Sequence, residues 1–145
     1  MAVIDPRTWL EHLTPAQCWQ LLTSTLVGRV GVLHDSAPEI YPVNYAVDQG
    51  SIVFRTDPGT KLHSLTRSPA VCFEADAVDP ASAAGWSVLV KGRAEEVRDP
   101  DERARLRTLD LRYWALGPKS HWVRIVAAEI TGRRIWAPAP DDRGA

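Results

Sequence analysis

Six short apolar segments separated by turn residues constrain the fold of this chain most. They are rich in β-branched and aromatic residues, and most of them alternate apolar with polar side chains, as half-buried strands do. The segments are 28–34, 39–47, 51–54, 70–78, 86–97 and 121–136. Turn-forming residues at 35–38 and 48–50 join the first three closely enough for hairpins. The sequence therefore predicts a mainly β domain, a small barrel of about six antiparallel strands.

Three helices are predicted around these strands. The first, 14–25, begins with Thr-Pro-Ala-Gln, in which Thr caps, Pro suits the first turn and Gln completes a capping box. It is expected to plug one end of the barrel. The second follows residue 59 and has Leu62 and Leu65 on its buried side. The third begins at Asp-Pro-Asp-Glu, residues 99–102, which puts acidic side chains at its start. Its predicted apolar stripe is Leu106, Leu109, Tyr113 and Trp114.

A strand, a turn and a helix start follow one another in residues 51–62. The apolar run ends in Asp-Pro-Gly, which is typical of turns. The first turn of a helix presents unpaired N–H groups and the positive end of the helix dipole, and both favour an anion. Four side chains would add donors around the same point: Arg55, Thr56, Thr60 and Lys61. We interpret the stretch as a phosphate site; the alternative is an ordinary turn flanked by solvated charges.

Pro42 interrupts the second predicted strand. Because proline has no N–H to donate to a ladder, this position must lie at a sheet edge or a bulge. Backbone groups next to Asn44 would then be available to a ligand. By alternation, Tyr41, Val43 and Tyr45 share one face of the strand, and Pro42, Asn44 and Ala46 share the other.

Length and composition indicate one ordinary domain. The chain has 145 residues, of which 45% are hydrophobic and 24% are charged, enough to bury a core. We expect this single domain to span residues 1–137, with 1–13 as an irregular lead. The Pro-rich and charged residues 138–145 are expected to form a disordered tail.

Charge and hydropathy favour neither a nucleic-acid partner nor a membrane. The formal net charge is −1, and the arginines between 98 and 112 are interleaved with acids, as on a solvated helix face. No apolar run approaches the roughly 20 residues that span a bilayer, and no signal peptide is visible. A cytoplasmic location is therefore expected.

Histidines and cysteines do not suggest a metal site. His12, His34, His63 and His121 are scattered, with no pair four residues apart. Cys18 and Cys72 also lack metal-type spacing and are expected to be reduced thiols. His63 lies close enough to the predicted phosphate turn to face a ligand, although a position on the helix surface is the simpler interpretation.

Three motifs in combination resemble a known superfamily. They are Ile-Tyr-Pro-Val-Asn-Tyr at 40–45, Phe-Arg-Thr followed by Gly-Thr-Lys-Leu within 54–62, and Gly-Trp-Ser-Val-Leu-Val-Lys-Gly-Arg-Ala at 85–94. In this order and spacing they resemble the pyridoxamine 5′-phosphate oxidase-like, FMN-binding split-barrel superfamily. Within it, the chain looks like the short actinobacterial-type proteins related to nitroimidazole-resistance proteins. The resemblance covers residues 14–136 and implies a six-stranded antiparallel split β-barrel with about three helices.

The resemblance also implies a homodimer with a flavin, FMN, in a groove between two barrels. It assigns the phosphate to Arg55, Thr56, Thr60 and Lys61, and the strand beside the ring to Pro42, Val43, Asn44 and Tyr45. It assigns Trp86, Ser87 and Val88 to the strand that reaches the ring from the partner chain. The oxidase branch has a long amide side chain where this chain has Ser87, and Ser-Arg-Lys where it has Pro-Gly-Thr-Lys. These departures leave flavin binding as what the resemblance implies and argue against pyridoxamine phosphate oxidation.

The leading functional hypothesis is an FMN-dependent oxidoreductase acting on an unknown small molecule. Because a flavin carries the redox step itself, the absence of a catalytic dyad does not argue against an enzyme. A second hypothesis is a non-catalytic protein that binds a flavin, haem or the deazaflavin cofactor of actinobacteria. The longer acidic tail of the deazaflavin would need further positive charge, for which Arg29 and Lys91 are the candidates.

Overall fold

The computed structural model describes residues 4–109, 111 and 121–136. Within them it contains eight strands and three helices. In chain order these are β1 Ile4–Asp5, β2 Leu10–His12, α1 Pro15–Leu22, β3 Val27–His34, β4 Ala37–Asp48, β5 Ser51–Thr56, α2 Thr60–Arg67, β6 Val71–Asp79, β7 Ala84–Val97, α3 Pro100–Leu106 and β8 His121–Ile135.

Six of the strands close into a ring. The hydrogen-bonded order is β8, β5, β4, β3, β6 and β7, and β7 pairs again with β8. All of these pairings are antiparallel. The short strands β1 and β2 extend the sheet from the far end of β8. This confirms the predicted mainly β fold, a six-stranded antiparallel split barrel with three helices.

Two tight turns form the hairpins that begin the barrel. Asp35 and Ser36 connect β3 to β4 with φ angles of 48° and 66°, and Gln49 and Gly50 connect β4 to β5 with φ angles of 49° and 70°. Two consecutive residues with positive φ characterise the hairpin turn whose twist matches that of the flanking strands. Asp, Gln and Ser tolerate this conformation less well than Gly50, so the strand pairing holds these residues there.

The two helices α1 and α2 close opposite ends of the barrel. Cys18 and Leu22 of α1 are fully buried, and the Leu13 N–H just before the helix donates to the Gly132 carbonyl near the end of β8. The helix α2 follows Thr56, which pairs with the first residue of β8, and it buries Leu65 completely. Burial of these apolar side chains stabilises both ends. The prediction that the first helix plugs the barrel is confirmed.

A β-bulge bends the longest strand pairing. The register of β7 against β8 shifts between Lys91 and Gly92, where a bend was predicted. A Cβ atom at Gly92 would lie 1.9 Å from the Val126 carbonyl oxygen, so the strands can approach this closely only at a glycine.

Several local expectations need correction. The lead was expected to be irregular, but β1 and β2 pair within it, because the Trp9 carbonyl and the Trp136 N–H connect it to the end of β8. Helix α1 ends at Leu22, three residues earlier than expected, and α3 ends at Leu106. Tyr113, Trp114 and the expected disordered tail lie outside the described residues. Cys18 and Cys72 are both free thiols, as expected.

Candidate functional site

The start of α2 differs from the starts of the other two described helices. Its N-cap residue is Gly59, which has no side chain to accept from the first-turn N–H groups, and its first turn has no acidic residue. By contrast, the Thr14 hydroxyl and the Gln17 side chain complete a capping box at α1. Helix α3 carries Asp101 and Glu102 in its first turn. The positive end of α2 is therefore the one that suits an anionic ligand.

The glycine at this start is required by the backbone. Gly59 has φ 142° and ψ −159°, a region that is open almost only to glycine. Nothing lies within 4 Å of the position that a Cβ would occupy, so the requirement is conformational and not steric. The Asp-Pro-Gly turn thus sets the direction of the first turn of α2 through a backbone conformation that residues other than glycine disfavour.

Two cations flank this turn and contact different aromatic rings. Arg55 lies on the outer face of β5, with its guanidinium carbon 5.2 Å from the centre of the Trp122 ring. The Lys61 ammonium lies 5.1 Å from the centre of the Tyr41 ring, which packs against the core inside the barrel. Both distances fit cation–π contacts. The two side chains therefore approach the turn from opposite faces of the sheet.

The two predicted threonine donors have different surroundings. Thr60 is the first residue of α2 and is exposed, so its hydroxyl can reach a ligand. Thr56 is only 2% exposed, and its hydroxyl donates to the Asp57 carbonyl at 3.3 Å. Of the four residues of the predicted phosphate site, Thr56 is therefore the one whose side chain faces the interior.

The barrel is split beside this turn. Pairing of β4 with β5 stops at Tyr45 and Phe54, so among the described strands residues 42–44 of β4 pair with β3 alone. The Tyr45 N–H donates to the Leu26 carbonyl on the β3 side, and by alternation the backbone groups of Asn44 face the split. Pro42 lies on this edge, as predicted.

The side chain of Asn44 carries a buried polar group that lacks a hydrogen-bond partner in the described residues. Its side-chain amide nitrogen is buried, and within the described part of the chain no atom accepts a hydrogen bond from it. Buried amide groups are nearly always hydrogen-bonded, so an unpaired one at a strand edge fits a ligand atom. Val43 and Tyr45 are instead buried in the core, at 6% and 3% exposure, and can offer a ligand only their backbone.

Tyr45 has a structural role that the sequence did not reveal. Its hydroxyl donates to the Leu22 carbonyl at the end of α1 at 2.6 Å. Burial raises the pKa of this phenol, so it stays a neutral donor. Tyr45 thus connects β4 to α1.

The third predicted group lies on the other side of the barrel. Strand β7 is separated from β4 by two strands in either direction around the ring. Val88 is completely buried, whereas Ser87 faces outward between Asp76 and Arg133 on the neighbouring strands. Ser87 and Trp86 line a cavity of about 530 Å³. One chain therefore does not bring Trp86, Ser87 and Val88 to the start of α2.

An ion cluster lies on the same outer face as Ser87. Arg29 is 2.9 Å from a Glu74 oxygen and 3.4 Å from an Asp76 oxygen. Burial, together with the neighbouring Asp76, raises the pKa of Glu74 to about 7, although Arg29 opposes the shift. Because two carboxylates already surround Arg29, it is a poor candidate for binding an acidic cofactor tail.

A second charge network was missed by the sequence analysis. The Asp48 carboxylate accepts two hydrogen bonds from Arg105, both 2.8 Å long, and a third from Arg124 at 3.0 Å. Both arginines also donate to Glu102. The Arg105 hydrogen bonds hold the pKa of Asp48 below its usual value. Arg105 was expected on a solvated face, but its partner Asp48 is distant in sequence, and only the fold reveals the contact.

Metal-type clusters and membrane-spanning helices are both absent from the described residues. No group of three His, Cys, Asp or Glu side chains within them is arranged to hold a metal ion. None of the described helices is long and apolar enough to cross a bilayer.

The family follows from comparison with known proteins. A sequence profile described as pyridoxamine 5′-phosphate oxidase matches residues 14–134. The chain belongs to this family of split-barrel proteins, which confirms the resemblance read from the three motifs.

Three similar proteins illustrate the match. An uncharacterized protein of Mycobacterium tuberculosis is 38% identical over 126 residues, covering 83% of this chain and 82% of its own length. A solved structure from Corynebacterium glutamicum, described as a candidate pyridoxamine 5′-phosphate oxidase, is 40% identical with a TM-score of 0.79, covering 90% and 96% of the two chains. The FAD binding protein from Mycobacterium smegmatis is also 40% identical, with a TM-score of 0.73 and coverage of 86% and 97%.

Proposed function

We propose that two copies of this chain bind a flavin, FMN, between them. The protein uses this flavin as an oxidoreductase uses its cofactor, to oxidise or reduce a small molecule. The observation that carries the proposal is the start of α2, where a Gly59 N-cap, two cations and an unpaired strand edge meet. A flavin phosphate is a dianionic acceptor that suits helix N–H groups and basic side chains alike.

Each residue of the proposed phosphate site has its own role. Thr60 and the first-turn N–H groups of α2 donate to the phosphate, and Lys61 supplies a charge from the Tyr41 side of the sheet. Arg55 supplies a second charge from the Trp122 side. Thr56 acts indirectly, because its hydroxyl is engaged by the Asp57 carbonyl and fixes the start of the turn.

The edge of β4 is proposed to hold the polar rim of the flavin ring. The buried Asn44 amide has no acceptor in the described part of the chain, and the adjacent edge offers backbone groups that no described strand occupies. The bound flavin supplies the hydride or electron transfer. The chain itself would orient the ring through the Asn44 amide.

The ring site is completed, in this proposal, by a second copy of the chain. Trp86 and Ser87 lie on the far side of the barrel, beside a cavity of about 530 Å³, and can reach a flavin only from a partner subunit. The outer face of β3, β4 and β6 exposes large apolar side chains, including Ile40 at 72% and Val78 at 71%. Covering such a surface would favour a homodimer.

Similar proteins support a flavin cofactor but do not distinguish FMN from the longer FAD. The Mycobacterium smegmatis protein with 40% identity is an FAD binding protein. FMN and FAD share the riboflavin phosphate that the start of α2 would bind. The mass of the bound molecule therefore distinguishes them.

The test is to purify the protein and record the absorbance spectrum and mass of whatever is bound. The proposal expects flavin absorption, a mass of FMN, and a particle of twice 16.1 kDa by light scattering. Turnover with a nicotinamide cofactor and an added acceptor would establish the oxidoreductase. A bound flavin without turnover would identify a flavin carrier, and a monomer with added FMN would overturn the shared site.

A further inference from the structure

A polar cavity lies at the C-terminal end of α2, away from the proposed flavin site at the start of the helix. It measures about 390 Å³ and separates the end of α2 from the β3–β4 turn. Its lining residues are Leu33, His34, Asp35, Ser36, His63, Ser64, Arg67, Ser68 and Pro69. Three of these side chains are basic and one is acidic. The volume falls within the range of small-molecule sites.

The basic side chains are held by two different elements. On α2, His63 and Arg67 are four residues apart and so lie on the same face of the helix. Arg67 has no ion pair within the described part of the chain. From β3, the Nδ1 atom of His34 forms a 2.8 Å hydrogen bond with the Ser64 hydroxyl.

The contact with Ser64 makes His34 a preorganised donor. Ser64 is only 3% exposed, so its hydroxyl is fixed inside the protein and holds the imidazole by one nitrogen. The other nitrogen, Nε2, lies 3.6 Å from the Asp35 carboxylate, which is too long for a hydrogen bond. The Asp35 side chain is 93% exposed and can move into solvent. Nε2 is thus available to a ligand.

The cluster of Ser64, His34 and Asp35 does not have the arrangement of a hydrolytic triad. In such a triad a buried carboxylate holds the imidazole, and the serine hydroxyl is presented to the substrate. Here the hydroxyl is buried and the carboxylate is exposed. Ser64 is therefore a positioning residue for His34 and not a nucleophile.

We propose that this cavity binds the phosphoryl or sulfuryl group of a small molecule. Arg67 provides the permanent charge, and His34, His63 and the Ser68 hydroxyl provide further donors. The negative end of the α2 dipole opposes an anion here, but Arg67 in the last turn offsets it. The cavity is larger than the anion, and Leu33 and Pro69 can contact an attached organic group.

The four histidines provide an internal control for the test. NMR of the imidazole Cε1–H groups is recorded while sulfate, which stays dianionic between pH 6 and 8, is added. Saturable shifts are expected for His34 and His63 and not for His12 or His121. The shifts should persist in Lys61→Ala, which separates this site from the start of α2.

Matched variants decide the assignment. Arg67→Ala should weaken sulfate binding at least tenfold, whereas Arg107→Ala, an exposed arginine at the end of α3, should leave it unchanged. Ser64→Ala should weaken it less and remove the selective response of His34. Phenyl phosphate that binds more tightly than sulfate would indicate a phosphorylated molecule, and equal affinity would indicate the free anion. Equal, non-saturating shifts at all four histidines, or an unchanged affinity in Arg67→Ala, would overturn the proposal.

Discussion

The starts of α1 and α2 solve the same physical problem in different ways. Both helices begin with N–H groups that have no partner in the helix. At α1 the chain supplies the acceptors itself, through the Thr14 hydroxyl and the Gln17 side chain. At α2 the N-cap is Gly59, and the nearest charged side chains include the cations Arg55 and Lys61. The first start is complete without a ligand, and the second suits one.

The charge network around Asp48 extends the comparison. It contains two carboxylates, Asp48 and Glu102, and two guanidinium groups, Arg105 and Arg124, so its charges balance internally. Asp48 and Arg124 are buried at 7% and 13% side-chain exposure. A balanced and buried network stabilises the fold, whereas cations beside a helix start without a side-chain cap favour the binding of an anion. The variants below separate these two roles.

The largest loss of stability is expected from Asp48→Ala. Removing the carboxylate leaves Arg105 and Arg124 with Glu102 as the remaining acid of the network, and breaking a buried ion pair costs about 3–5 kcal/mol. Denaturant unfolding should show this loss with no specific effect on flavin affinity in the folded protein. As a control, Asp5→Ala breaks the exposed pair with Arg7 and should cost far less, because water screens a surface pair. Equal costs for the two variants would show that the network does not stabilise the fold.

A smaller loss, combined with weaker binding, is expected from Gly59→Ala. The φ of 142° should cost an alanine about 1–3 kcal/mol, although space for the Cβ is available. Gly50→Ala is the matched control, because its φ of 70° is also positive and its Cβ would also be unobstructed. Both variants should lose stability, but only Gly59→Ala should weaken FMN binding. Unchanged FMN affinity in Gly59→Ala would argue against the α2 start as the binding point.

Removing a threonine hydroxyl from each helix start should have opposite consequences. Thr14→Ala deletes the α1 cap and should cost about 1 kcal/mol of unfolding free energy, without weakening FMN binding. Thr60→Ala deletes an exposed hydroxyl and should change stability by less than about 0.5 kcal/mol while weakening FMN binding. Chemical denaturation and flavin fluorescence measure the two quantities. The comparison fails if Thr14→Ala affects binding as much as Thr60→Ala.

The smallest effect is a dependence of stability on pH that arises from Glu74. Because its pKa is raised to about 7 in the folded protein, the folded state binds this proton more tightly than the unfolded state. Its contribution to stability is therefore present at low pH and is lost as the pH rises toward 7. Glu74→Gln should become progressively more stable than the parent between pH 5 and 8. Parallel curves of unfolding free energy against pH for Glu74→Gln and the parent would refute the shift.

The sequence predicted the parts of the fold that follow from local patterns. Alternation located the six barrel strands, and Gly92 located the bulge, because these signals lie within a few neighbouring residues. The Thr14 capping box was equally local. The Arg105 network was missed because its partner Asp48 is 57 residues away.

The candidate site could be predicted only in part. Residue type and spacing pointed to the turn before α2, but alternation does not tell which face of a strand meets a ligand. Thus Val43, Tyr45 and Val88 have their side chains in the core, whereas the Asn44 amide is a buried donor without a partner in the described residues. The cavity beside His34 was also missed, because Ser64 and His34 come together only when α2 packs against β3.

The proposed function depends above all on the start of α2, which we propose binds the phosphate of a flavin. Its most direct test is the affinity of the protein for FMN and for riboflavin, measured by flavin fluorescence in the parent, Arg55→Ala, Lys61→Ala and the control Arg107→Ala. A charge-assisted hydrogen bond contributes about 1.5–3 kcal/mol, so each of the first two variants should lose roughly ten- to a hundredfold in FMN affinity. Riboflavin affinity should change little in any variant. Equal losses for FMN and riboflavin, or no loss in either variant, would contradict the claim.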